Sequence, residues 1–322
     1  MEGSDQRLRD RAVTLAGVRG RTVEVASANP VNFHHAITDP GGCEPITIDG
    51  MLFLAGDGPT PLVMVVPGSL GVGPNHLAHA ETLVASGFAA FLLDPFGARS
   101  VASTVGNQTQ YSFAASAFDV LAALRVLADD PAIDRDRISA QGHSRGGSAV
   151  LTASMRRFAD AVAGPDLALA GTYAVYPWAG YQFVDPDVGR TRVRSIVGEL
   201  DEWVSVQQVQ AQTRAIALRG GVATDRIVAG AHHSFDRHEP VHELPEARIA
   251  PGAPTVHLTD DGAMIHPHTG EPDRSLTDTD LFITAVEAGF GRKGARIGGI
   301  GDQPALFEAD MLAFHRDVLG AP

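Results

Sequence analysis

Residues 136–147 read DRISAQGHSRGG: a short apolar strand, a tight turn and the start of a helix built from small residues. At the centre stands Gly142-His143-Ser144-Arg145-Gly146, which fits the pattern G-x-S-x-G. In that pattern the serine sits on a strained strand-to-helix turn. Small residues two places before and after it let the chain pack tightly, and its Oγ is left exposed above a sheet. The pentapeptide alone is a weak signal, because glycine and serine are common. Its setting strengthens it: the run 137–141 has strand character, and RGGSAVLTASMRRF (145–158) has that of a helix.

A serine hydroxyl is a poor nucleophile at neutral pH and needs an adjacent base. The base needs an acid to orient it, and acyl transfer needs two N–H donors for the oxyanion. In an open α/β sheet such groups converge at the carboxyl ends of the strands. The apolar run 62–66 ends in Pro67-Gly68-Ser69-Leu70-Gly71, so the N–H of Ser69 is one candidate donor and that of Arg145 the other. For the acid, Asp201 follows the strand in RSIVGELDEWVSV (194–206), and Asp94 ends FAAFLLD (88–94). The chain order that accompanies this elbow is serine, acid, histidine. That order favours Asp201 and leaves Asp94 as a structural carboxylate or a wall of the pocket. Glu199 and Glu202 are weaker rivals. The base must cap the next strand, RIVAGAHHSFD (226–236), where His232 and His233 both qualify. Arg99, Leu70 and His143 are candidates for contacting a substrate, and Arg99 and Arg145 for pairing with an anionic group on it.

Around these segments, strand and helix patterns alternate. LVMVV (62–66) and FAAFLLD read as buried strands, NHLAHAETLVASG (75–87) and SFAASAFDVLAALRVLADDP (112–131) as helices. The run 46–54 alternates loosely around an Asp49-Gly50 that reads as a turn. Alternation at this pitch predicts a mostly parallel sheet with helices on both faces. Residues 1–30 read as a polar leader and 31–322 as a single domain. Within it, 239–303 is rich in Pro, Gly, Asp and His and reads as an insertion. It holds a hairpin about Asp261-Gly262 and one helix, LTDTDLFITAVEAGF (276–290), before a final helix at 305–319.

The composition limits the partners. Lys and Arg number 25 against 38 Asp and Glu, a formal charge of −13. Phosphate contacts need clustered cations, so nucleic acids and anionic membranes are poor fits. The single cysteine, Cys43, excludes an internal disulfide and a cysteine-rich zinc site. The first twenty residues lack the apolar core of a secretory signal, and no apolar run is long enough to span a bilayer. The expected compartment is the cytoplasm.

Together, PGSLG (67–71), LLDPFGARS (92–100), DRISAQGHSRGG (136–147), GELDEWVSV (198–206) and AGAHHSFD (229–236) resemble the α/β-hydrolase superfamily, and within it the dienelactone hydrolase-like group. The likeness spans about residues 45 to 320. It implies the α/β-hydrolase fold with a late insertion or lid, and hydrolysis of a small carboxylic ester or lactone through an acyl-enzyme, with no cofactor. It also implies that His233 is the base, since relatives set their histidine before a small residue and a phenylalanine, here Ser234-Phe235. Two departures stand out. Dienelactone hydrolase proper uses cysteine where this chain has Ser144, and many relatives carry histidine where it has Pro67. The same three residues also serve peptidases, amidases and acyltransferases, so the substrate stays open.

One motif competes. His238-Glu239-Pro240-Val241-His242 is a literal H-E-x-x-H, which binds zinc when both histidines share one face of a helix. Pro240 in the middle and Pro245 just beyond it oppose a helix, and DRHEPVHELPEAR (236–248) has no apolar stripe to bury one. The expectation is a solvated loop with no metal, placed near the site as part of a lid. His76, His79, His266 and His268 read as surface or capping residues.

Overall fold

Eight extended segments form the main sheet of the structure, a computed structural model that describes residues 7–56 and 58–320. They are β1 (Arg21–Asn29), β2 (Glu44–Phe53), β3 (Thr60–Val66), β4 (Ala89–Asp94), β5 (Ile133–His143), β6 (Gly171–Val175), β7 (Arg192–Gly198) and β8 (Ala223–Val228). Their spatial order is 1-2-4-3-5-6-7-8. The pairs from β4 to β8 are parallel, and β2 is antiparallel to both β1 and β4. This is the strand order of the α/β-hydrolase fold.

The unbroken apolar runs follow from burial on both faces. Leu62, Met64 and Val66 of β3 enter one core, and Val63 and Val65 enter the other. The first core is closed by α2 (Phe113–Ala128), α3 (Arg145–Ser154) and α4 (Arg156–Ala163), the second by α1 (Pro74–Ala85) and α7 (Gln303–Leu319). Helix α5 (Val206–Leu218) reaches both, through Ile216 and Val209. The single helix expected from Arg145 onward is two, because Met155 adopts an extended conformation between them. No described helix is long and apolar enough to cross a membrane.

Two expectations need correcting. The segment read as a leader supplies the edge strand: β1 pairs with β2 along its whole length and buries Val25 and Ala28. Ahead of it, Leu8 and Leu15 are also buried in the second core. The sheet therefore starts at residue 21, and residues 1–6 of the expected leader lie outside the described residues. The expected turn at Asp49-Gly50 lies inside β2. Both residues are paired on two sides, with Glu24 and Val23 of β1 and with Asp94 and Leu93 of β4, and Asp49 also takes an ion pair from Arg7.

In the insertion, His242–Ile249 pairs antiparallel with Arg292–Ile297. Val256–Leu258 and Met264–Ile265 form the expected hairpin about Asp261-Gly262, followed by helix α6 (Asp278–Glu287). Val256–Leu258 also adds in parallel to Tyr181–Phe183, just beyond β6. The insertion is thus anchored beside the carboxyl end of the sheet.

Candidate active site

Strand β5 delivers Ser144 to the top of the sheet, and the turn that follows is as tight as its glycines suggest. Ser144 has φ 53° and ψ −113°. A non-glycine residue held there stores on the order of 1–3 kcal/mol of strain. A Cβ on Gly142 would come within 2.1 Å of the Gly146 carbonyl oxygen, and one on Gly146 within 2.4 Å of that of Val66. Side chains at either place would force the elbow open.

The loops after β7 and β8 bring the other two groups in. His233 Nε2 lies 3.0 Å from Ser144 Oγ, and its Nδ1 lies 2.8 Å from Asp201 Oδ2. The remaining oxygen of Asp201 accepts the backbone N–H groups of Trp203 and Val204 at 2.8 and 3.0 Å, which fixes the carboxylate. The indole of Trp203 stacks on the His233 imidazole, with centroids 5.1 Å apart and planes 24° from parallel. An imidazole held between a carboxylate and a hydroxyl can take a proton from one side while its charge is balanced from the other. His232 makes neither contact, and its buried Nδ1 has no partner among the described residues.

The loop at 67–71 rests on this serine: a Cβ on Gly68 would stand 3.2 Å from the Ser144 Cβ. The Ser69 carbonyl accepts from Thr104 N and Ser103 Oγ, and its hydroxyl pairs with Gln108. Among the described residues its N–H donates to nothing. Arg145 is the first residue of α3, where the N–H groups lack helical acceptors, and no side chain caps them.

The Arg145 side chain is turned away from solvent and used up. It donates to Ser116 Oγ and to the Gln108 and Tyr111 carbonyls, lying between the rings of Tyr111 and Phe113. Arg99 is also not a substrate contact. Its guanidinium grips Asp119 with two bonds and donates to Asn29 and to the Pro95 carbonyl, inside the body. The carboxylate of Asp119 holds Arg99, and backbone carbonyls with the Ser116 hydroxyl hold Arg145, so both guanidinium groups are engaged within the fold. Asp94 caps its own turn by accepting from Phe96 and Gly97. Leu70 remains on the rim of the site, 41% exposed.

His143, a candidate substrate contact, borders a small recess at Ser144, but both of its ring nitrogens are occupied in a buried polar network. Tyr176 Oη donates to Asp236 Oδ1 at 2.7 Å, so it accepts from His143 Nδ1 at 3.0 Å. His143 Nε2 then accepts from Gln141 Nε2, and Gln141 Oε1 accepts from His315 Nε2. Asp236 also receives Asn75 Nδ2 and His79 Nε2. His79, His143 and Asp236 group as three metal-type ligands do, yet hydrogen bonds already serve the carboxylate. Burial drives His143 down to about 3, so it stays neutral although Asp236 lies 3.6 Å away. Of the surface or capping role expected of His76 and His79, the surface part fails because both are buried; His76 caps α1 by accepting from Gly73 N, and His79 binds Asp236. Nothing local in the sequence marks Tyr176 or Asp236 as members of this network, although Asp236 stands three residues after His233.

A cavity of about 240 Å3 opens at Ser144. Phe113, Trp178, Tyr181 and Trp203 wall it, and α6 roofs it with Leu281 and Ala285. Asp278, at the start of α6, accepts Tyr181 Oη and Phe113 N, both at 2.7 Å. Arg248 reaches the wall with a side chain that has no partner among the described residues. The insertion thus covers the site, but His238 and His242 do not line this cavity. The H-E-x-x-H stretch is not helical: His242 opens a strand, and Glu239 pairs with Arg237.

No protein-family model and no curated protein matches the chain. Among solved structures it is similar to a dienelactone hydrolase-like promiscuous phosphotriesterase from metagenomic libraries, at 18% identity, with 84% of this chain and 99% of that one covered and a TM-score of 0.45. It is similar to a thermophilic carboxylesterase from a metagenomic library at 16% identity, covering 67% and 81%, with a TM-score of 0.46. An esterase of Pyrococcus furiosus gives 14%, 68% and 85%, with a TM-score of 0.47.

Proposed function

We propose that this chain is a serine hydrolase of carboxylic esters, of the dienelactone hydrolase-like kind. The hydrogen-bonded series Ser144–His233–Asp201 at the mouth of an apolar cavity carries the reading. Ser144 Oγ attacks the ester carbonyl carbon while His233 Nε2 takes its proton. Asp201 holds the imidazole in the tautomer that leaves Nε2 free to accept, and it balances the imidazolium that forms. The oxyanion lies between the N–H groups of Ser69 and Arg145, which are fixed before the reaction begins. Collapse of the tetrahedral intermediate breaks the bond to the alkoxide, which leaves with the proton from His233. Water then attacks the acyl-enzyme with His233 as base, releasing the acid and restoring Ser144. Each step uses groups of the chain itself, and the substrate is a small molecule.

A fluorescent alkyl phosphonate tests the assignment. The wild-type protein should be labelled at Ser144, and Ser144→Ala, with an unchanged thermal melt, should take up no label. Equal labelling of the two would remove Ser144 as the nucleophile.

A further inference from the structure

Two recesses meet at Ser144, and they differ in size and in the groups they hold. The larger is the cavity of about 240 Å3 under α6. The smaller, about 30 Å3, lies beneath Leu70. Ser69, Ser144 and Trp203 border both. Arg145 borders the larger recess only, and His233 the smaller only.

This asymmetry orients an ester. His233 must hand its proton to the departing oxygen, so the alcohol portion lies on the histidine side. The carbonyl oxygen points to the N–H groups of Ser69 and Arg145. The acyl group then has the larger recess left to it. An apolar cavity of about 150 Å3 admits a benzene ring, and by the same measure one water needs about 10–15 Å3. The larger recess therefore holds a ring with a short linker, and the smaller one little more than a methyl group. The larger recess is also lined by aromatic rings, whose faces and edges stack well on another ring.

Resting on the serine hydrolase reading, we infer that the substrates are esters of bulky apolar acids, aryl-bearing ones above all, with small alcohols. The reaction is ArCH2CO2CH3 + H2O → ArCH2CO2H + CH3OH. The acyl C–O bond breaks and methoxide leaves with the proton that His233 took from Ser144; the hydroxyl of water then joins the acyl carbon, and the proton of water returns to Ser144 through His233. The roof residues of α6, Ala285 foremost, decide how large an acyl group enters.

Methyl phenylacetate and benzyl acetate test this directly. They are isomers with the ester reversed, and their alcohols are of similar acidity, so their ratio of kcat/KM reports the recesses. Methyl phenylacetate should be preferred by about tenfold or more, the scale on which an apolar pocket discriminates. Ala285→Trp fills the larger recess and should lower the ratio of methyl phenylacetate to methyl acetate by about tenfold. Ala288→Phe, from the same roof, is the second variant in case the first folds poorly. Equal or reversed preference for the isomers, or a ratio that survives both variants, overturns the inference. So does a wild-type protein that labels with phosphonate at Ser144 but turns over neither ester. In those cases the serine reading stands, whereas failure of Ser144 to label sinks that reading and this inference together.

Discussion

At the scale of single residues, the site works through what each polar atom has left to bind. Asp201 spends one oxygen on two backbone N–H groups and keeps the other for His233. Asp201→Asn would preserve the shape but can offer its amide N–H to Nδ1, which favours the tautomer with the proton on Nε2. Turnover of an activated ester should fall by roughly 10³- to 10⁴-fold in kcat, with KM little changed, as for a triad whose imidazole is in the wrong tautomer. Steady-state kinetics on the folded variant would check it, and a loss under tenfold would remove Asp201 from its role. Arg99 shows the opposite outcome. A strand-end arginine looks available from the sequence, but Asp119, twenty residues on, takes it in a buried pair.

Among elements, α6 has the least conventional position. Its capping box at Thr277 and Asp280 is local and legible. What holds it over the cavity is not. Asp278 reaches back to the N-terminus of α2 and to Tyr181, and burial raises its pKa above the ordinary aspartate value. Asp278→Ala would leave the Phe113 N–H and the Tyr181 hydroxyl without that acceptor, at a cost of about 1–3 kcal/mol each where they stay buried. The variant should melt at lower temperature and be cleaved faster by protease within 250–290. An unchanged melt and cleavage rate would show that α6 is held by its apolar face alone.

For the whole molecule, the buried histidines set the response to acid. Burial pushes His143 and His315 down to about 3 and His76 well below its ordinary value. Below about pH 6.5 the unfolded chain takes up protons on these rings that the folded chain refuses. Stability should therefore fall as pH drops from about 6.5 toward 3, each ring steepening the loss by up to about 1.4 kcal/mol per pH unit. Asp236, whose partners hold it well below the usual carboxylate range, adds a loss in the same direction only at lower pH. Urea midpoints between pH 7.5 and 4.5 would measure the slope. His315→Gln should flatten it, and a slope that is identical in the variant would mean His315 is not held neutral by the fold.

The sequence by itself determined the alternating architecture, the tight turn at Ser144 and the failure of H-E-x-x-H to form a helix. Each follows from local rules: periodicity of apolar residues, the small residues a sharp turn needs, the stiffness of Pro240. Chain order and the resemblance put Asp201 and His233 forward, and these are the side chains that hydrogen-bond to each other beside Ser144. Only the tertiary structure made β1 an edge strand, buried Arg99, joined Tyr176 and Asp236 behind the serine and set α6 over the cavity. Those outcomes depend on contacts between distant parts of the chain, such as Asp278 with Phe113, 165 positions apart. Whether a charged side chain meets solvent, a ligand or a buried partner is decided by what packs against it, and no local pattern records that.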